Sequence, residues 1–201
     1  MQVKPLTVGP LQENCYLVWQ ASGNGLIIDP GDDAQQIKDA INQNAIEPQA
    51  ILLTHGHVDH IRAIPEVAAT YNLEVFLPRE DHTLYLSPKN EVLPFVTAAQ
   101  NLPEPVTSPI QIPDLDYQVL ATPGHTKGGC SFYFKTEGVV FTGDTLFRGS
   151  IGRTDLPGAD HATLLESIRQ KLLTLPPDTT VYPGHGPSTT IATERSSNPL
   201  L

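Results

Sequence analysis

Four residues that bind metal ions well stand within six positions of one another: His55, His57, Asp59 and His60, in the run Thr54-His55-Gly56-His57-Val58-Asp59-His60. Neutral imidazole and carboxylate suit zinc and other divalent first-row ions. In extended chain, side chains two apart point the same way. His55, His57 and Asp59 therefore converge on one side, and His60 is turned by the start of the following helix. Four donors are more than one tetrahedral ion takes from a single loop while keeping a position open. The cluster fits two ions.

Three further donors occur in a recurring context. His125 follows Leu120-Ala121-Thr122-Pro123-Gly124, Asp144 follows Val140-Phe141-Thr142-Gly143, and His185 follows Val181-Tyr182-Pro183-Gly184. Each time an apolar run ends in glycine and the polar residue comes next. Loops at one end of neighbouring strands would bring such residues to one edge of a sheet, where sites in α/β architectures lie. His82 and His161 fall outside this pattern and read as surface residues. Cys15 and Cys130 read as small core residues rather than nucleophiles.

The elements that must position these donors are short. Leu6 to Val8, Cys15 to Trp19 and Leu26 to Ile28 predict strands, with Gly23-Asn24-Gly25 turning between the last two. Asp29-Pro30-Gly31 ends the third strand. Asp32 or Asp33 can cap a helix carrying Ile37, Ala40 and Ile41 at helical spacing. Ala50 to Leu53 predicts a buried strand directly before the histidine cluster, with a helix near Ile64 to Tyr71 and a strand at Val75 to Leu77 after it. From Pro88 to Pro113 the chain holds six prolines and little periodicity, which fits a loop over a site or irregular strands. Tyr117 to Ala121, Cys130 to Phe134, Val139 to Thr142 and Thr179 to Tyr182 predict strands. A helix from about Ala162 to Leu173 carries Leu164, Leu165, Ile168, Leu172 and Leu173 on one face. Two β-rich halves, each finished by a helix, predict two packed sheets with helices outside.

Bulk properties narrow the function further. A chain of 201 residues predicts one domain, residues 1–201, with room for a sizeable core. Its net charge of −10, from 22 acidic and 12 basic residues, disfavours a nucleic-acid partner, because no basic run offsets the repulsion of phosphates. Two cysteines cannot build a disulfide framework. The sequence shows neither a cleavable leader nor a run of about 20 apolar residues, so no membrane partner is expected and a cytoplasmic protein is. No oligomeric state follows from the sequence.

The run His55-Gly56-His57-Val58-Asp59-His60, with His125, Asp144 and His185 in order after it, resembles the signature of the metallo-β-lactamase superfamily. The resemblance spans most of the chain. It implies an αβ/βα four-layer sandwich with two central mixed β-sheets. It also implies two divalent metal ions, zinc foremost, with iron or manganese also suited. His55, His57 and His125 would hold the first ion, Asp59, His60 and His185 the second, and Asp144 would bridge them. A water shared by two cations loses a proton near neutral pH, and Asp59 and Asp144 would orient the hydroxide. In the family Asp29 ends a strand near the site, implying a supporting role behind the ligands.

Within the superfamily the chain is similar to the glyoxalase II (hydroxyacylglutathione hydrolase) branch, in its short, single-domain type. Gly143-Asp144-Thr145-Leu146-Phe147 and Gly152-Arg153-Thr154-Asp155 carry this likeness. The branch implies hydrolysis of a glutathione-derived thioester such as S-lactoylglutathione. It grips a glutathione carboxylate with a lysine where Arg153 stands, and arginine keeps the cation and adds a bidentate fork. Pro187 stands where the family has a tyrosine of its glutathione site.

The principal rival is a persulfide dioxygenase of the same fold, with one iron on His55, His125 and Asp144. Secreted lactamases commonly place a cysteine where Asp144 stands and carry a signal peptide. Nuclease members carry a large insertion, and diiron redox members have glutamate where His57 stands. A metal-binding scaffold without activity is disfavoured by the intact Asp59.

Overall fold

The computed structural model describes all 201 residues, which divide into two compact units, residues 1–116 and 117–201. Each unit is built on one mixed five-stranded sheet.

In the first unit the strands are β1 (Gln2–Val8), β2 (Glu13–Trp19), β3 (Asn24–Ile28), β4 (Glu47–Leu52) and β5 (Glu74–Phe76), in that spatial order. The first three form an antiparallel meander, and β3, β4 and β5 run parallel. Parallel neighbours need a crossover. Helices α1 (Ala34–Gln43) and α2 (Ile64–Tyr71) supply the two crossovers. Ile37, Ala40 and Ile41 of α1 and Ile64, Val67 and Ala68 of α2 pack into a core with Leu17, Ile27 and Ile51. The β2–β3 turn falls earlier than Gly23-Asn24-Gly25. Gly23 N–H closes it onto the Gln20 carbonyl at 2.9 Å, and Asn24 already lies in β3.

Neither expected aspartate caps α1. Asp33 occupies the position before the helix, but with φ 50°, and its carboxylate accepts the Gly9 N–H at 2.8 Å instead. Asp32 accepts the Asp33 N–H, also at 2.8 Å. Asp33 is thus spent on the turn after β1, and Asp32 also accepts from the Arg62 guanidinium at 2.8 Å.

The Pro-rich stretch is irregular but tied down. Short helix α3 (His82–Tyr85) precedes it, and Val92 pairs with Val96 in a tight hairpin. Val106 then adds a single parallel bridge to the edge of β5.

The second unit places β6 (Gln118–Ala121), β7 (Cys130–Phe134), β8 (Val139–Gly143), β11 (Thr180–Pro183) and β12 (Thr189–Thr190) in the order β12-β11-β8-β7-β6. A two-stranded ribbon, β9 (Leu146–Phe147) with β10 (Ser150–Ile151), follows β8. Helix α4 (His161–Ser167) is capped by Asp160, which accepts the Thr163 N–H at 2.7 Å. It continues as a π-helical turn through Leu172, so Leu164, Ile168 and Leu172 stay buried at four-residue intervals. Leu165 and Leu173 are only partly buried at the rim of that core. The last helix, α5 (Ile191–Ser197), and the β9–β10 ribbon had no clear sequence signal. No helix of the chain is long and apolar enough to cross a membrane.

Candidate metal centre

In both units the polar residues follow the ends of parallel-running strands, where the strand backbone stops and loops begin. Asp29 comes directly after β3, and Thr54 and His55 come just after β4. His57 is extended, with φ −68° and ψ 150°, and a single 3-10 turn at Val58–His60 follows. That turn carries His60 back toward His55. Their ring centroids lie 4.2 Å apart, and those of His55 and His57 4.9 Å apart, edge to face. Asp59 Oδ2 stands 4.0 Å from His60 Nε2. His55, His57 and His60 are thus close together with Asp59 beside His60, but Asp59 sits in the 3-10 turn and not in the extended chain that two-residue alternation assumes.

One buried carboxylate settles which nitrogen each ring presents. Asp29 is 2% exposed and accepts the Thr54 N–H at 2.8 Å and the Thr54 hydroxyl at 2.6 Å. With its proton committed to Asp29, the Thr54 oxygen accepts from His55 Nδ1 at 3.0 Å. His60 Nδ1 donates to the same Asp29 oxygen at 3.1 Å. In this network both rings carry the proton on Nδ1 and the lone pair on Nε2, the arrangement of a metal-ligating histidine. The donor atoms of Asp29, His55 and His60 also lie within 4.8 Å of one another. Asp29 meets His60 at Nδ1 and reaches His55 Nδ1 through Thr54, so it stands behind these rings, on the side away from their Nε2 atoms.

Sequence reasoning missed three more supports in this unit. Glu13, 1% exposed at the start of β2, lies 3.5 Å from His60 Nδ1 and adds a second negative charge behind that ring. Asp81 accepts the Gly56 N–H at 3.0 Å. Asn90 donates to the Gly56 carbonyl at 2.7 Å and accepts the Val58 N–H at 3.0 Å. Asp81 and Asn90 together hold the peptide groups on both sides of His57. A carboxylate heading an otherwise apolar strand is the one local cue that pointed to Glu13; Asp81 and Asn90 have none. Burial, with Glu13 and Asp29 nearby, pushes the Cys15 thiol well up, so it is a core group and no nucleophile.

The second unit gathers its three candidates around one atom. Asp144 Oδ2 is 3.6 Å from His125 Nε2 and 3.7 Å from His185 Nε2. These are too long for hydrogen bonds. They match the spacing of two donors on one tetrahedral ion, about 3.4 Å for bonds near 2.1 Å. A single carboxylate oxygen facing two imidazoles is also what a bridging ligand requires. His125 Nδ1 donates to the Arg153 carbonyl at 2.8 Å, which again leaves the lone pair on Nε2. The Gly184 N–H bonds the Gly143 carbonyl at 2.8 Å, tying the residue before His185 to the residue before Asp144.

Two glycines press against the carboxylate-bearing loops. A Cβ on Gly31 would overlap the Asp59 carbonyl oxygen, and one on Gly152 would overlap the Asp144 carbonyl oxygen. Only a residue without a side chain lets the backbone pass there.

The Arg153 side chain is exposed, and its guanidinium forks onto Asp155 with two 2.7 Å bonds. That bond holds the Asp155 carboxyl down at about 2. His82 contacts the Leu77 carbonyl at 3.2 Å and His161 contacts Thr154 at 3.3 Å, so both lie outside the donor groups.

A family model described as the metallo-beta-lactamase superfamily matches residues 8–185. The chain belongs to the metallo-β-lactamase superfamily. Membership brings the mixed α/β fold expected from the sequence and places the chain among metal-dependent hydrolases. Among curated proteins it is 37% identical to hydroxyacylglutathione hydrolase GloC of Haemophilus influenzae, over 100% of this chain and 98% of that protein. This fits the glyoxalase II-like branch. Among solved structures it resembles the BLEG-1 B3 metallo-beta-lactamase, with a TM-score of 0.92 and 39% identity over 100% of this chain and 99% of that one. It also resembles TTHA1623 in a di-iron-bound form, with a TM-score of 0.86 and 40% identity over 98% and 100% of the two chains. The superfamily, the donor groups and the di-iron relative together indicate divalent metal ions.

Proposed function

We propose that this protein is a binuclear metal-dependent hydrolase of thioesters, with S-lactoylglutathione-type substrates first and zinc as the preferred metal. The observation that carries the reading is Asp144, whose single oxygen faces His125 and His185 at nearly equal distance. In this reading His55, His57 and His125 hold one ion and Asp59, His60 and His185 the other, with Asp144 shared. Two divalent ions would supply an acidified water and a Lewis acid for the substrate carbonyl.

The side chains contribute the rest. Asp59, partly exposed beside His60, orients the attacking water. Thr54, Asp29 and the Arg153 carbonyl keep the Nε2 lone pairs of His55, His60 and His125 in place throughout the cycle. A thiolate leaving group, with a parent pKa near about 8.5, needs little help from a general acid. Arg153 would exchange Asp155 for a substrate carboxylate, with which it makes the same two-pronged contact. The likeness to GloC supports the thioester, and the two buried cysteines, Cys15 and Cys130, which form no disulfide, fit a reducing cytoplasm.

A second reading, β-lactam hydrolysis, is favoured by the likeness to BLEG-1. Elemental analysis of the purified protein, combined with a panel of thioester, β-lactam and persulfide substrates, tests both. Two divalent ions per chain with thioester turnover is the expected result. Faster β-lactam turnover would favour the second reading. One iron per chain with oxygen uptake on glutathione persulfide would overturn both readings.

A further inference from the structure

The segment after α3 displays apolar side chains on a held framework. Leu86, Val92, Leu93 and Phe95 are 48%, 40%, 62% and 66% exposed, all within ten residues. Single exposed apolar residues are ordinary, but a cluster of four large ones marks a contact surface. The tip is ordered by its own backbone. Val92 and Val96 exchange hydrogen bonds of 2.7 and 2.9 Å, and the Phe95 N–H bonds the Val92 carbonyl at 2.9 Å. Val96 beneath it is 1% exposed and anchors the turn.

The same segment is fastened to the histidine loop. Asn90, 6% exposed, bonds Gly56 and Val58 on either side of His57. Leu93 is three residues beyond Asn90, and three residues of chain span at most about 10 Å. The hairpin folds Phe95 back onto Val92. The apolar tip thus begins within about 10 Å of Asn90, whose side chain bonds the backbone that carries His57.

We propose that Leu93 and Phe95 are specificity-determining residues that contact an apolar group of the substrate, on its acyl or its thiol side. The proposal rests on the hydrolase reading for the identity of the ligand. Substrate is a better occupant than a second copy of the chain. The tip offers four apolar side chains, whereas each partner in a stable interface buries about 800 Å2. Asn90 also spends both ends of its amide on the metal-binding loop, a connection that a mere interface does not need.

The test uses non-hydrolysable thioether analogues in two methyl/hexyl pairs, one varying the group that stands for the acyl portion and the other the thiol portion. Binding to the full-length protein is measured by calorimetry. Wild type is expected to prefer the hexyl member of one pair by about tenfold, as partial burial of a few methylenes gives. The variant carrying Leu93→Ser and Phe95→Ser is expected to lose that preference. The pair that responds identifies the side of the substrate. No preference in either pair, or a preference that survives in the variant, would overturn the proposal. So would sedimentation showing that wild type self-associates through this tip while the variant does not. Hydrolysis of an acetyl thioester by wild type is measured in parallel. Its absence would count against the hydrolase reading alone.

Discussion

The donors of the first unit and those of the second are held by opposite means. His55, His57, Asp59 and His60 come from one loop, and their supports are side chains: Asp29 and Thr54 behind the rings, Asp81 and Asn90 on the backbone, Glu13 beyond. His125, Asp144 and His185 come from three loops, and their supports include backbone groups, the Arg153 carbonyl on His125 and the Gly143–Gly184 hydrogen bond, with the Phe147 ring edge-on to His185. The difference teaches where each group is vulnerable. A loop that packs four donors into six residues lacks a ladder of its own, so buried side chains must define it. Donors directly after strands inherit their positions from the sheet. The first group also has two buried carboxylates, Asp29 and Glu13, behind His60, which favour positive charge at that point.

The largest effect that would sharpen this contrast is expected from Asp144→Ala. Removing the one oxygen shared by two imidazoles should lower kcat for a thioester by about 1,000-fold or more and reduce the bound metal below two ions, read by steady-state kinetics and elemental analysis. Retention of both ions and full turnover would break the comparison at its centre. Next comes Asp29→Asn, which should weaken metal binding by about 10- to 100-fold in chelator competition. Arg153→Ala should leave metal affinity unchanged, because His125 bonds a main-chain carbonyl that the substitution keeps. Equal losses in the two variants would erase the side-chain versus backbone distinction.

Gly31→Ala and Gly152→Ala probe the feature that the two groups share. Each added methyl would meet a main-chain oxygen, so each should cost about 1–3 kcal/mol in denaturant unfolding. The smallest effect concerns Asp155, whose carboxyl the Arg153 hydrogen bond lowers to about 2. A depressed carboxyl contributes stability above its unfolded value and loses it as pH falls through about 2; this pair is exposed, so solvent screens the contribution. By NMR titration, Arg153→Ala should raise Asp155 toward the ordinary carboxylate range, while a backbone hydrogen bond still holds it below that range. A titration still near 2 in that variant would show that Arg153 is not what holds it.

Much of this was legible in the chain. Helix α2 and β7 fall where the sequence puts them, α2 because Ile64, Val67 and Ala68 recur at helical spacing and β7 because it is a short, mostly apolar run buried along its whole length. The seven candidate donors were legible from residue type and spacing: four crowd into the run from His55 to His60, and His125, Asp144 and His185 each follow an apolar run that ends in glycine. Elements with little apolar content, such as α5 and the β9–β10 ribbon, were not. Glu194 shows why: this buried carboxylate on α5 accepts from Gly149, 45 residues away, and from Thr189 and Asn198 nearby, so polar contacts hold that region and one of them ties it to the β9–β10 ribbon. The capping role expected of Asp32 or Asp33 failed for a related reason. A carboxylate serves whichever N–H the fold presents, and at Asp33 that was Gly9.

By itself the sequence determined the donor types, their order along the chain and the strands that deliver them, since alternation and glycine placement are local properties. Only the tertiary structure decided the tautomers of His55, His60 and His125 and the roles of Glu13, Asp81 and Asn90. The physical reason is that a hydrogen bond forms between groups the fold brings within about 3 Å, however far apart they stand in the chain. Asn90 lies 34 residues from the Gly56 carbonyl that it holds.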